Sequence, residues 1–201
     1  MARRSDHSRE EIQHMALQAA ESIVDAEGLA GLSTRKVATA IGYTVGTLYL
    51  VFKNLDELIL HLNAKTLEEL YLTLESAQQG CNDPQSCLTA ICLAYQGFAF
   101  ENPGRWALLF EHHLPVDEKI PDWFQTKLQR LFSLIENNLR DLCIWPDQRS
   151  LQKVAQSIWS GVHGVCVLHL NNKLDIAGAS TSTELIESII ENYIRGYLRD
   201  K

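Results

Sequence analysis

The sequence has no apolar stretch approaching the ~20 residues that a membrane-spanning helix needs, so no transmembrane span is expected. Proline is scarce at 5 residues and glycine at 11, which leaves room for long helices. No alternating apolar pattern persists long enough to predict a sheet, and there is neither an internal repeat nor a low-complexity tract. The cysteines, Cys81, Cys87, Cys92, Cys143 and Cys166, are odd in number and contain no C-x-x-C spacing. This pattern points to a reducing cytoplasm, with thiols used as small apolar fillers. The amino-terminal MARRSDHSREE has basic residues but lacks the apolar centre of a secretory signal.

Catalytic patterns are missing as well. There is no phosphate-binding G-x-x-x-x-G-K, no G-x-S-x-G and no H-E-x-x-H. His112 and His113 are adjacent and point apart on a helix, as do His163 and His169 at a separation of six. Glu111 beside the first pair does not complete a metal-ligand spacing. No enzyme activity, metal or cofactor is therefore expected. Basic excess is also absent, since the net charge is −7. That charge is uneven. Residues 1–55 hold six Lys/Arg and six Asp/Glu, and residues 56–201 hold twelve and nineteen. The first quarter of the chain is neutral, so a local phosphate-binding face remains compatible with an acidic protein.

What is present is helical periodicity. With 46% hydrophobic residues the chain can bury a substantial core. Ser8 is a candidate cap for a first helix ending near Glu27, with Ile12, Met15, Ala16, Ala19, Ala20, Ile23 and Val24 on one face. Arg3 and Arg4 precede it in a short arm. Gly28 and Gly31 break the pattern.

Two short helical patterns then flank Gly42, from Ser33 to Ile41 and from Thr44 to Val51. Neither is long enough to be stable alone, so each requires a packed neighbour. The pair reads as a tight helix-turn-helix, with Leu48 and Phe52 inward and Thr44, Thr47 and Tyr49 outward. Its physical use would be to lay the second helix in a DNA major groove. A long helix follows from Asn54 to about residue 78. Further helices are expected near residues 85–101, 106–112, 123–142, 151–169 and 185–197, with loops at 80–84 and 114–121. The wide apolar stripes of the last two suit pairing with a second copy of the chain, giving a four-helix interface.

Residues 9–60, through EGLAGLS, STRKVATAIG and YTVGTLYLVFKNLDEL, resemble the TetR family of transcriptional repressors. The segment Trp159-Ser160-Gly161-Val162-His163-Gly164 is similar to the W-x-x-x-H-G motif of one C-terminal domain type in that family. The resemblance implies an all-α fold. A three-helix helix-turn-helix domain at 9–53 would be joined by the long helix to a C-terminal bundle of five or so helices at 54–201, for effector binding and dimerisation. It implies a cytoplasmic homodimer that binds double-stranded DNA and a small effector, with no membrane partner.

Carried over by motif position, Thr34 and Arg35 would meet the DNA backbone or a base edge. Thr44, Val45, Gly46 and Thr47 would open the recognition helix. Tyr49 and Lys53 would approach phosphates. Hydroxyls and arginine donate to phosphate, while short side chains allow close approach to base edges. Two positions depart from the family pattern. Val51 stands where His or Tyr is common and Leu55 where Lys is usual, and each departure would remove a phosphate contact. They motivate a second reading, a helical small-molecule-binding or scaffold protein without specific DNA binding. For the effector pocket, the candidate walls are Tyr95, Phe98, Trp106, Phe110, Trp123, Trp159 and Val162, with His113 and His163 as polar handles. Their apolar bias suits a lipophilic or aromatic effector.

Overall fold

The first helix shows how local sequence sets the architecture. In the computed structural model, α1 spans Arg9–Gly31 and opens on a capping box. Ser8 Oγ accepts from the Glu11 amide at 3.2 Å, and the Glu11 carboxylate accepts from the Ser8 amide at 2.5 Å. Gly28, at φ +67°, kinks the helix at the glycine where the periodic pattern ends. The structure describes residues 7–142, 145–178 and 180–199. Arg3, Arg4 and Cys143 lie outside the described residues.

Helix α2 (Thr34–Ala40) is capped by Ser33, and α3 (Val45–Leu48) by Thr44. The turn between them closes on Gly42, at φ +73°. Tyr43 N–H donates to Ala38 O at 2.9 Å and Gly42 N–H to Thr39 O at 3.1 Å. This paired bonding satisfies the terminal carbonyls of α2 and needs a residue that tolerates the left-handed conformation. The second short helix is tighter than its apolar pattern implies. Only four residues are helical, and Tyr49 to Val51 continue as a turn.

The chain then forms α4 (Leu55–Ala77), α5 (Pro84–Glu101), α6 (Pro103–Glu111), α7 (Asp122–Leu142), α8 (Gln148–Leu170) and α9 (Ser182–Arg199), with a 3-10 turn at Leu174–Ala177. Asn54 Oδ1 accepts from the Glu57 amide at 2.8 Å at the start of α4. Among the described residues there is no strand. None of their helices is long and apolar enough to cross a membrane. The all-α expectation is therefore met.

The helices gather into two compact units. One contains the residues up to Thr66 together with Asn102–Phe124, and the other contains Leu67–Glu101 together with the chain from Gln125 onward. In the first, α1 packs on α6, and α1, α2 and α3 enclose a common core. Val24, Val37, Leu48, Phe52, Leu58 and Leu108 are its buried centre. Each such side chain stabilises the fold by about 1.5–3 kcal/mol relative to exposure. Within the second unit, α5, α8 and α9 pack mutually. A side chain at Gly161 would come within 3.3 Å of Ile189, so this glycine lets α8 and α9 approach closely.

Candidate functional site

The first candidate site is the face of α3. Its short length is supported by three anchors. Leu48 is 1% exposed in the core, Phe52 is 2% exposed just beyond, and Thr44 Oγ1 caps the helix by accepting from the Thr47 amide at 3.2 Å. The opposite side faces outward. Thr44 and Gly46 are exposed, Thr47 and Val45 are half-buried, and Tyr49 is 52% exposed. The Thr44 and Thr47 hydroxyls are 3.0 Å apart and share one hydrogen bond. On α2, Arg35 is exposed and Thr34 half-buried in the first turn. These residues supply hydroxyls, small side chains and one guanidinium to the outer sides of α2 and α3.

Lys53 Nζ lies 3.3 Å from Glu118 Oε1. Both side chains are substantially exposed, so the pair is weak and exchangeable. Two contacts around this face carry no helical-periodicity signal. His7 Nδ1 and the Tyr43 hydroxyl are 2.7 Å apart, and Lys36 pairs with Glu27 at 2.5 Å. The two departures from the family pattern acquire a structural role. Val51 is 9% exposed within the first unit's core, and Leu55 packs partly buried against the same core.

The second candidate site is a cavity in the second unit. The space among its walls, the solvent-open mouth included, amounts to about 360 Å³. Tyr95 and Cys92 of α5, Leu131 and Phe132 of α7, and Trp159 and Val162 of α8 line it, joined by Leu74, Ile91 and Ile135. Tyr95 Oη and His163 Nδ1 are 2.9 Å apart. Phe132 meets the edge of Trp159 at 5.4 Å between ring centres. Burial pushes the Cys92 thiol up to about 12 and draws the His163 imidazole below its usual value. Both are uncharged at neutral pH.

Of the nine residues expected around a pocket, Tyr95, Trp159 and Val162 line this cavity and His163 bonds to one of them. Phe98 is buried in the same unit but does not line it. Trp106, Phe110, His113 and Trp123 fall in the first unit and do not line this cavity. Trp106 packs with Phe110 at 5.2 Å, Trp123 stacks on His61 at 5.2 Å, and His113 Nδ1 is 2.9 Å from the Glu111 carbonyl. The additional lining residues share their helical stripes with ordinary core positions. Nothing in spacing separates a cavity wall from a packed interior.

A helix-turn-helix with an exposed, capped second helix, accompanied by a helical unit with an apolar cavity, defines a class of two-part all-α proteins. Residues 16–62 match the family model described as bacterial regulatory proteins, tetR family. Residues 88–193 match the model described as tetracyclin repressor-like, C-terminal domain. The chain belongs to the TetR family. Members bind DNA and effector ligands and typically dimerise.

The chain is similar to the HTH-type transcriptional regulator Rv1816 of Mycobacterium tuberculosis, at 29% identity over 117 residues, covering 57% of this chain and 50% of the relative. It thus spans about half the length of that relative. A solved protein of unknown function from Rhodococcus sp. RHA1 matches the fold with TM-score 0.76 and 20% identity, covering 97% of this chain and 98% of that one. The TetR-family regulator PfmR of Thermus thermophilus matches with TM-score 0.61 and 16% identity, covering 90% of this chain and 97% of that one. Among the described residues, no group of three or more His, Cys, Asp or Glu side chains is placed to hold a metal ion.

Proposed function

We propose that this protein is a DNA-binding transcriptional regulator, a cytoplasmic homodimer that represses from a palindromic operator until a small lipophilic or aromatic effector releases it. The observation that carries this reading is the polarity of α3. Leu48 is locked inward while Thr44 and Tyr49 are presented to solvent. Such a helix has the side chains needed for groove contact and a rigid base to hold them. Thr44, Val45, Gly46 and Thr47 would approach base edges. Thr34, Arg35, Tyr49 and Lys53 would donate to phosphates. Release of Lys53 from Glu118 costs little, because that exposed pair is worth about 0–1 kcal/mol.

Residues 9–53 would read DNA, and residues 54–201 would hold the effector and the second subunit. The outer side of the α8–α9 pair supports the dimer assignment, since Leu168 is 45% exposed and Tyr193 37% exposed. A twofold dimer places recognition helices about 34–36 Å apart for successive major-groove turns. Effector in the cavity would favour a different spacing, with α4 as a lever ~35 Å long. A few kcal/mol of differential affinity is enough to empty an operator. The test is operator binding with and without saturating effector. Equal affinities would end the release mechanism, and absence of any salt-sensitive duplex binding would end the DNA-binding reading.

A further inference from the structure

Residues 78–83 join α4 to α5 without helical backbone, and Gly80 takes the left-handed conformation there, at φ +83°. Cys81 follows it, half-buried. Its amide donates to Gln78 O at 3.3 Å, and its thiol donates to Ala77 O at 3.8 Å. Cys87 sits half-buried in the first turn of α5, its amide donating to Asp83 O at 3.1 Å. The reversal of the chain brings the two thiols into hydrogen-bonding contact. Because the Cys81 S–H is directed to Ala77 O, the Cys81 sulfur is the acceptor of that contact. On one continuous helix a separation of six would put the two side chains on different faces.

Two other thiols have a different setting. Cys92 is buried on α5 and Cys166 on α8, and burial pushes both up to about 12. They stay protonated and shielded from solvent, which makes them inert. Cys81 and Cys87 are the partly accessible pair, and neither lines the cavity nor belongs to the face of α3.

We propose that Cys81 and Cys87 are a redox pair that a hydroperoxide converts to an intramolecular disulfide, tying the end of α4 to the start of α5. With hydrogen peroxide, the Cys81 sulfur attacks one peroxide oxygen, becomes a sulfenic acid and releases one water. The Cys87 sulfur then displaces the hydroxyl from Cys81 and forms the S–S bond, and its proton leaves with that hydroxyl as a second water. The two thiols give up two electrons in all, and the peroxide takes them. Burial, the neighbouring Cys81 and the Asp83 carboxylate push the Cys87 thiol up to about 11, which leaves Cys81 to react first. Once Cys81 is a neutral sulfenic acid, its charge no longer opposes ionisation of Cys87. Closure draws the sulfurs to about 2.05 Å, a movement the non-helical backbone between them can take up. A reducing compartment keeps the pair as thiols until oxidant arrives.

The test treats the reduced full chain with hydrogen peroxide at pH 7.5, once folded and once in urea. Remaining thiols are then blocked, and the chain is digested without reductant. Cleavage before Asp83 puts the two cysteines on separate peptides, so only a disulfide keeps them together, and fragment ions assign the linked sulfurs. In the folded chain the Cys81–Cys87 link should exceed Cys87–Cys92 by at least about tenfold, because Cys92 is shielded. Dithiothreitol should reverse it. In urea, separations of six and five residues close with nearly equal ease, so the two links should appear at similar levels. Cys87→Ser should leave a sulfenic acid at Cys81 that dimedone captures. The proposal is overturned if the folded chain forms no Cys81–Cys87 link, or if its preference for that link is no greater than in urea. Failure of dimedone to label Cys81 in Cys87→Ser would overturn the first step.

Discussion

Replacing Gly104 by alanine should loosen the seat of α6 on α1. A β-carbon at this position would lie 2.6 Å from the carbonyl oxygen of Val24, 3.3 Å from its carbonyl carbon and 3.4 Å from Asp25 Cα. All three atoms are backbone, inside a helix whose Val24 side chain is fully buried. The neighbouring Arg105 holds α6 in place, with Nη1 2.5 Å from Glu21 Oε1 and Nε 3.5 Å from Asp25 Oδ1. The added methyl therefore has no flexible side chain to displace. Overpacking of this kind costs about 1–3 kcal/mol. Gly→Ala in a helix returns up to ~1 kcal/mol, and less in a first turn. A net loss of about 1–2 kcal/mol should lower the melting temperature by about 3–6 °C in a chain of this size.

The matched control is Gly97→Ala in α5, where a β-carbon would meet nothing within 4 Å. That change should be neutral or raise the melting temperature. Paired thermal denaturation followed by circular dichroism at 222 nm reads both. Equal melting temperatures for the two variants would refute the claim that backbone contact at Gly104 sets the α1–α6 seat.

Three further outcomes follow from the two sites. Tyr49→Phe should weaken operator binding about fivefold to tenfold by removing one phosphate hydrogen bond, with no change in melting temperature, because the ring is half-exposed. Thr44→Ala removes the cap of α3 and should cost about 1 kcal/mol of stability in urea titration as well as reducing operator affinity. His163, drawn below its ordinary value of 6.5 by burial, takes up its proton more readily in the unfolded chain. Its contribution to stability is therefore complete above about pH 6.5, declines as the pH falls through the interval below that value, and levels off beneath the depressed folded value. His163→Gln should flatten that part of the stability–pH profile, and an unchanged slope between pH 7 and 5 would contradict it.

Local chemistry made much of the first unit legible. Ser8 with Glu11, Ser33, Thr44 and Asn54 mark helix starts that the structure repeats, because caps act over three or four residues. Spacing places Leu48 and Phe52 inward, and both are buried. Spacing tells which face of a helix is covered, however, and not by which partner. Trp106, Phe110 and Trp123 read in sequence as walls of the C-terminal bundle, yet α6 and the start of α7 join the first unit, where Trp106 is buried and Phe110 and Trp123 are exposed. Val51 shows the same limit from the other direction. Its family position suggests a lost phosphate contact, whereas tertiary packing uses it as core.

The central claim is that the exposed side of α3 reads a twofold-symmetric duplex. Selection of bound duplexes from a random library by the purified full chain tests it most directly, with protein-to-duplex stoichiometry measured on the enriched sequence. Enrichment of a palindrome bound by an even number of chains, lost when Thr47 and Tyr49 are both replaced by alanine, is the predicted result. No enrichment at low salt, or enrichment that survives the double replacement, would contradict it.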